Sequence, residues 1–192
     1  MIKTYKKNAK LVLSNGFIFH GFSFGNSGTA VGEIVFNTGM TGYQEVITDP
    51  SYHGQLLTFT YPEIGNTGIN TEDSESSSTV KGIIVRNYSS NNSNWRSLKK
   101  FNEWLIEKKI VALHGIDTRA LVKILRSSGS MNGVLTSEDI NIESCLKIVS
   151  ESPKMEGLNL SKVVSTNQQY LWKSPTETKF DIRERFSEKS NR

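Results

Sequence analysis

The chain has 192 residues, 36% of them hydrophobic and 22% charged, with a formal net charge of +4. That length fits one domain with an appendage, or two very small domains, and the composition is that of ordinary globular material able to bury one core. No apolar stretch approaches the ~20 residues that span a bilayer; the lysines are scattered rather than gathered into a nucleic-acid stripe; and the single cysteine, Cys145, excludes internal disulfides and cysteine-based metal clusters.

The first half reads as strands. Lys3, Lys6, Lys7 and Lys10 crowd the start, but no apolar segment follows them, so a secretory signal is not expected. Residues 10–13 lead through the Ser14-Asn15-Gly16 turn into a second strand at 17–24. There Phe17 and Phe19 share one face while Phe22 and Phe24 share the other. The period of two slips at His20-Gly21, which predicts a bulge. Residues 33–37, 44–48, 56–61 and 81–86 follow as further strands, each bounded by Gly, Pro, Asp or Asn. The acidic, hydroxyl-rich stretch 71–79 is predicted to be a solvated loop.

The second half changes period. From Asn94 as N-cap, Trp95, Leu98, Phe101, Trp104 and Leu105 fall on one helical face, and Lys108-Lys109 suit the C-terminal end of the dipole. Residues 110–113 form a short apolar strand. Asp117 can cap a second helix that turns Ala120, Leu121, Ile124 and Leu125 inward and ends at Gly129. Val134-Leu135 reads as a strand and 142–149 as a third helix. This alternation predicts a parallel component covered by helices, and an α/β fold overall. Residues 167–192 are polar, lack sustained periodicity and hold a Ser-Pro step, as in a linker or disordered tail.

Few residues could carry chemistry. A cysteine nucleophile needs a strand-to-helix elbow with small neighbours, and a histidine within reach. Cys145 lies mid-helix by periodicity with no flanking glycine, so it reads as a packing residue. His20, His53 and His114 are too scattered for a zinc site. Gly65-Asn66-Thr67-Gly68 could turn backbone N–H groups towards an anion, but without a following Gly-Lys-Ser/Thr pattern a structural turn is the simpler reading. Arg119, in the first turn of the second helix, can reach an interface or a carboxylate of its own chain. Ser51 follows Asp49-Pro50, where the proline presets a turn that fixes a small hydroxyl on a rigid loop. By residues alone, Ser51 either completes that turn locally or presents its hydroxyl outward.

The run FNTGMTGYQEVITDPSYHGQLLTFTYPEIGNTGIN, residues 36–70, is followed in order by Ser93-Asn94-Trp95-Arg96, by Gly115-Ile116-Asp117-Thr118-Arg119-Ala120-Leu121, by Gly129-Ser130-Met131-Asn132-Gly133, and by Gly157-Leu158-Asn159-Leu160. From about residue 10 to about residue 166 this series resembles the amino-terminal domain of the small, glutamine-hydrolysing chain of carbamoyl phosphate synthetase. The resemblance implies a three-layer β/β/α domain over 1–166, with 167–192 as a linker towards a glutaminase domain that these residues do not include. In the family that second domain hydrolyses glutamine with an activated cysteine, and the ammonia passes to a large synthetase subunit. The serine at the position of Ser51 reaches across to the bound glutamine.

The resemblance therefore implies Ser51 as a glutamine-binding residue, no catalytic residue and no metal here, and no cofactor in this chain. ATP and metal belong to the large subunit. The implied partners are that large subunit and L-glutamine, in an enzyme making carbamoyl phosphate from glutamine, bicarbonate and ATP for arginine and pyrimidine synthesis. The chain alone is expected to be inactive. The rival reading is a non-catalytic interaction or regulatory module that remained after loss of the glutaminase domain. Lysine outnumbers arginine 16 to 7 beside 16 asparagines, the mark of an AT-rich genome. With no transit peptide, that points to a protein of the plastid stroma, or alternatively of a bacterial cytoplasm.

Overall fold

The computed structural model describes residues 7–171, apart from positions 78, 154, 156 and 167. Seven strands make the main sheet: β1 (Ala9–Leu13), β2 (Ile18–Ser23), β3 (Thr29–Asn37), β4 (Leu56–Phe59), β6 (Gly82–Ile84), β8 (Val111–His114) and β9 (Met131–Thr136). Two short strands, β5 (Glu63–Ile64) and β7 (Asn87–Tyr88), pair separately. The main sheet runs β1-β2-β8-β6-β4-β3-β9 and closes on itself. Its β3, β4, β6 and β8 neighbours are parallel and the remaining pairs antiparallel. The α/β class and the parallel component are as predicted. The expected pair of stacked β layers is instead one closed barrel, because β9 pairs with both β1 and β3 while β2 hands over to β8.

Strand alternation sorts the core. Leu11, Leu13, Ile34, Leu56, Ile84, Leu113 and Leu135 point into the barrel, joined by Leu121 and Leu125 from helix α3 (Thr118–Ser128). Their strand neighbours Leu57, Ile83 and Ala112 point outward under helices α1 (Tyr43–Thr48) and α2 (Phe101–Glu107), against Tyr43, Ile47, Phe101, Trp104 and Leu105. Across the barrel, Val12 and Val134 pack on Cys145 and Val149 of α4 (Ile142–Glu151). The parallel strands are thus covered on both faces, which is why β4 and β6 read as unbroken apolar runs.

Three local expectations are corrected. No bulge interrupts β2, whose register with β1 is continuous from Ala9↔Gly21 to Val12↔Ile18. The slip in periodicity marks a change of partner, since Phe22 and Ser23 pair with His114 and Leu113. Residues 44–48, expected as a strand, belong to α1. Gly42 enters it at φ +77, and Tyr43 and Ile47, four apart, share the buried face. The second-half helix begins at Phe101, not at Asn94. Trp95 and Leu98 are 61% and 64% exposed; Ser97 N closes a turn on Asn94 O, and Ile69 exchanges backbone hydrogen bonds with Leu98 and Lys99.

Other local signals correspond to what forms. The Asp117 carboxylate caps α3 by accepting from Ala120 N at 2.9 Å, and Gly129 ends it at φ +83. Asn141 caps α4 through Ser144 N at 2.7 Å. A last short helix, α5 (Ser161–Val164), follows. Of the expected linker over 167–192, position 167 and positions 172–192 lie outside the described residues. Among the described residues, no helix is long and apolar enough to cross a membrane.

Candidate functional site

The loop carrying Ser51 leaves α1 and enters β4, so both its ends are anchored in the core. Asp49 closes α1, its N–H donating to Val46 O at 3.4 Å, and its carboxylate accepts from Ser51 N at 2.8 Å. Tyr52 N and His53 N then donate to Asp49 O and Pro50 O, closing one turn of 3-10 helix over Pro50–Tyr52. Proline suits the first position of that turn because its φ is preset and its missing N–H has no partner to lose.

The next residues tie the loop to the barrel. Tyr52 packs on the outer core, and its hydroxyl accepts from Asn37 Nδ2 at 3.2 Å. Gly54, at φ +82, swings the chain into β4, and Gln55 Nε2 donates to Glu33 Oε2 at 2.9 Å. Ser51 itself is exposed. Its backbone N–H is satisfied by Asp49, while its hydroxyl has no intramolecular partner among the described residues.

Helix α1, which precedes this loop, anchors a polar assembly that sequence reasoning missed. Buried Gln44 donates from Nε2 to Asn70 O at 2.6 Å and to Ser74 Oγ at 2.9 Å, and its Oε1 accepts from Asn70 N at 3.0 Å. Tyr43 donates its hydroxyl to Gly68 O at 2.5 Å and accepts from Thr67 Oγ1 at 2.9 Å. The 71–79 loop is consequently not merely solvated. Glu75 N donates to Thr48 Oγ1 and Ser76 Oγ to Thr48 O. Arg96 pairs with Asp73 at 2.6 Å and Glu72 at 3.7 Å, on the rim of a recess of about 250 Å³.

Burial pushes the Tyr43 phenol up to about 12 and raises the Glu45 carboxyl as well. The Tyr43, Gln44, Thr48, Asp73 and Arg96 side chains each bond within the same assembly, so the network holds loops in place. The Gly65–Gly68 segment is a turn, with Gly68 N donating to Gly65 O. The only cue in the sequence was the buried-helix spacing of Gln44 and Thr48, concealed by their polarity.

The remaining candidates stay apart. Cys145 is fully buried within α4, and desolvation raises its thiol. His20 is exposed on β2 and His53 sits in the Ser51 loop. His114 lies among the rings of Phe22, Phe24 and Tyr88, where burial lowers its pKa. Arg119 projects from the first turn of α3 into a cleft shared with Arg86, Lys123 and Arg126. That convergence, too, was not legible from spacing.

The geometry describes a mixed α/β barrel domain that displays a hydroxyl on a braced loop and encloses its one cysteine in the core. A family profile described as carbamoyl-phosphate synthase small chain, CPSase domain, matches residues 11–135. The chain is 54% identical over 171 residues to a carbamoyl phosphate synthase small chain of Synechocystis sp., an alignment covering 88% of this chain and 44% of that one. It is 49% identical to the small chain of Xanthomonas axonopodis pv. citri over 86% of this chain and 42% of the relative. It is 46% identical to that of Porphyra purpurea over 98% and 50%. This chain belongs to the carbamoyl phosphate synthase small-chain family. It spans about half the length of the curated relatives it matches.

Proposed function

We propose that the chain acts as the amino-terminal part of a small subunit in glutamine-dependent carbamoyl phosphate synthesis, completing the glutamine site through Ser51 and docking on a large synthetase subunit. The observation that carries this reading is the Ser51 hydroxyl, left without an internal partner among the described residues on a loop fixed by Asp49, Tyr52 and Gly54. A small ligand gains most from a donor whose position is set before binding, because little ordering remains to be done. Ammonia released from glutamine would serve, with bicarbonate and ATP, to form carbamoyl phosphate for arginine and pyrimidine synthesis.

Hydrolysis itself falls to residues outside this chain's own set. The buried, raised thiol of Cys145 supports that assignment, because the thiolate is the nucleophile and burial disfavours it. The chain brings no cofactor of its own in this reading. Relatives from Synechocystis and Porphyra, together with the lysine- and asparagine-rich composition, favour the plastid stroma, with a bacterial cytoplasm as the alternative.

The test is to mix the purified chain with a large subunit of the family and follow both complex formation and ammonia release from glutamine. A stable complex without ammonia release supports the reading. Separate elution of the two proteins, or glutamine turnover that disappears in Cys145→Ala, contradicts it.

A further inference from the structure

The cleft of about 500 Å³ beside α3 is lined by Arg86, Arg119, Lys123 and Arg126, together with Thr60 and Thr118, and among the described residues no carboxylate lines it. Arg119, Lys123 and Arg126 follow one another at i, i+4 and i+7, a single face of α3. Arg86 arrives from the opposite wall, two residues beyond β6, its backbone carbonyl held by Gly115 N at 2.8 Å. All four cations are exposed, and none has a carboxylate partner within 4 Å among the described residues. Asp117, the nearest acid in sequence, is committed to capping α3. Four like charges around one concavity repel one another, and Arg119 stands in a helical first turn, where the dipole disfavours a cation. The fold gains nothing internal from that arrangement.

We propose that this cleft is a binding site for a phosphate-bearing small molecule. Planar guanidinium groups approaching from two walls can grip phosphate oxygens in forked pairs. The concavity falls in the size range of small-ligand sites rather than being a flat docking face. Its position repeats a general rule of α/β folds, in which ligands sit beyond the carboxyl ends of parallel strands. Thr60 directly follows β4 and Arg86 follows β6, whereas the Ser51 loop enters β4 at the other end. The phosphate site is therefore separate from the Ser51 loop and does not rest on the glutamine reading.

The test uses the full 192-residue chain and inorganic pyrophosphate, followed by backbone amide shifts and calorimetry at low ionic strength. Saturable one-to-one binding is expected, with shifts concentrated at Arg86 and the first turns of α3. Arg119→Gln and Arg86→Gln should each weaken it about tenfold, and Lys100→Gln, elsewhere on the surface, should not. The variants alter exposed side chains, and circular dichroism checks that they fold. Absence of saturation, or equal weakening by Lys100→Gln, overturns the proposal. An oligo-glutamate peptide that shifts the same residues and binds more tightly than pyrophosphate would also overturn it, assigning the cleft to an acidic protein surface.

Discussion

The Asp49 carboxylate accepts the Ser51 backbone N–H at 2.8 Å, so the turn is closed by the aspartate and not by the serine hydroxyl. The two side chains therefore have separable tasks. Asp49→Ala should lower unfolding free energy by about 0.5–2 kcal/mol, the usual cost of a lost cap. Ser51→Ala should change it by less than about 0.5 kcal/mol, as for an exposed polar side chain. Urea denaturation of the two variants distinguishes them, and equal losses would return Ser51 to a structural role.

Tyr43 makes a second prediction, about pH. Its phenol is raised from the ordinary 10 to about 12, first by burial. The unfolded chain ionises near 10 while the folded chain keeps the proton until about 12. The stabilisation is thus full below 10 and is lost as pH rises from 10 to 12. Tyr43→Phe should remove that component. It should also cost about 1–3 kcal/mol at neutral pH, because the buried Gly68 carbonyl loses its donor. Denaturation curves at about pH 8 and about pH 11 for both proteins check the sign; a wild-type chain no less stable at the higher pH would contradict it.

Two glycines separate crowding from backbone strain. A Cβ on Gly21 would lie 2.3 Å from His114 O and 2.7 Å from Leu113 Cδ1, where β2 crosses to β8. A Cβ on Gly16 would meet nothing within 4 Å, although φ is +88. Gly21→Ala should cost about 3 kcal/mol or more and Gly16→Ala about 1 kcal/mol. Melting temperatures in the reverse order would place the barrel seam elsewhere.

Cys145 should be chemically silent in the folded chain. It is fully buried against Val12 and Val134, and its thiol is raised by desolvation. A thiol reagent should label it only once denaturant opens α4, at a rate that follows global unfolding. Rapid labelling under native conditions would show that α4 is not docked on the barrel.

Legibility in the sequence followed the range of the interaction. The Asp117 cap, the C-terminal Gly129, the helix over 142–149 and the buried strand at Leu56–Phe59 express short-range chemistry, and they could be read directly. The helix at Tyr43–Thr48 was hidden because Val46 and Ile47 favour strands, while the pairing that decides, Tyr43 with Ile47, depends on the core above it. Trp95 and Leu98 carry helical spacing, yet Ile69 takes the backbone N–H groups of Leu98 and Lys99. Barrel closure depends on β9 pairing with two strands distant in sequence, which no local pattern records. At the site, Asp49-Pro50 announced a rigid turn, but only the fold reveals that the Ser51 hydroxyl has no partner from its own chain among the described residues.

The most direct test of the glutamine reading compares two nitrogen donors in a complete small chain assembled with its large subunit. Ser51→Ala should weaken the use of glutamine by about two- to tenfold in apparent affinity, the worth of one hydrogen bond. Synthesis driven by free ammonia should be unchanged, because that route bypasses the loop. Equal losses with glutamine and with ammonia would contradict the assignment of Ser51 to the glutamine site.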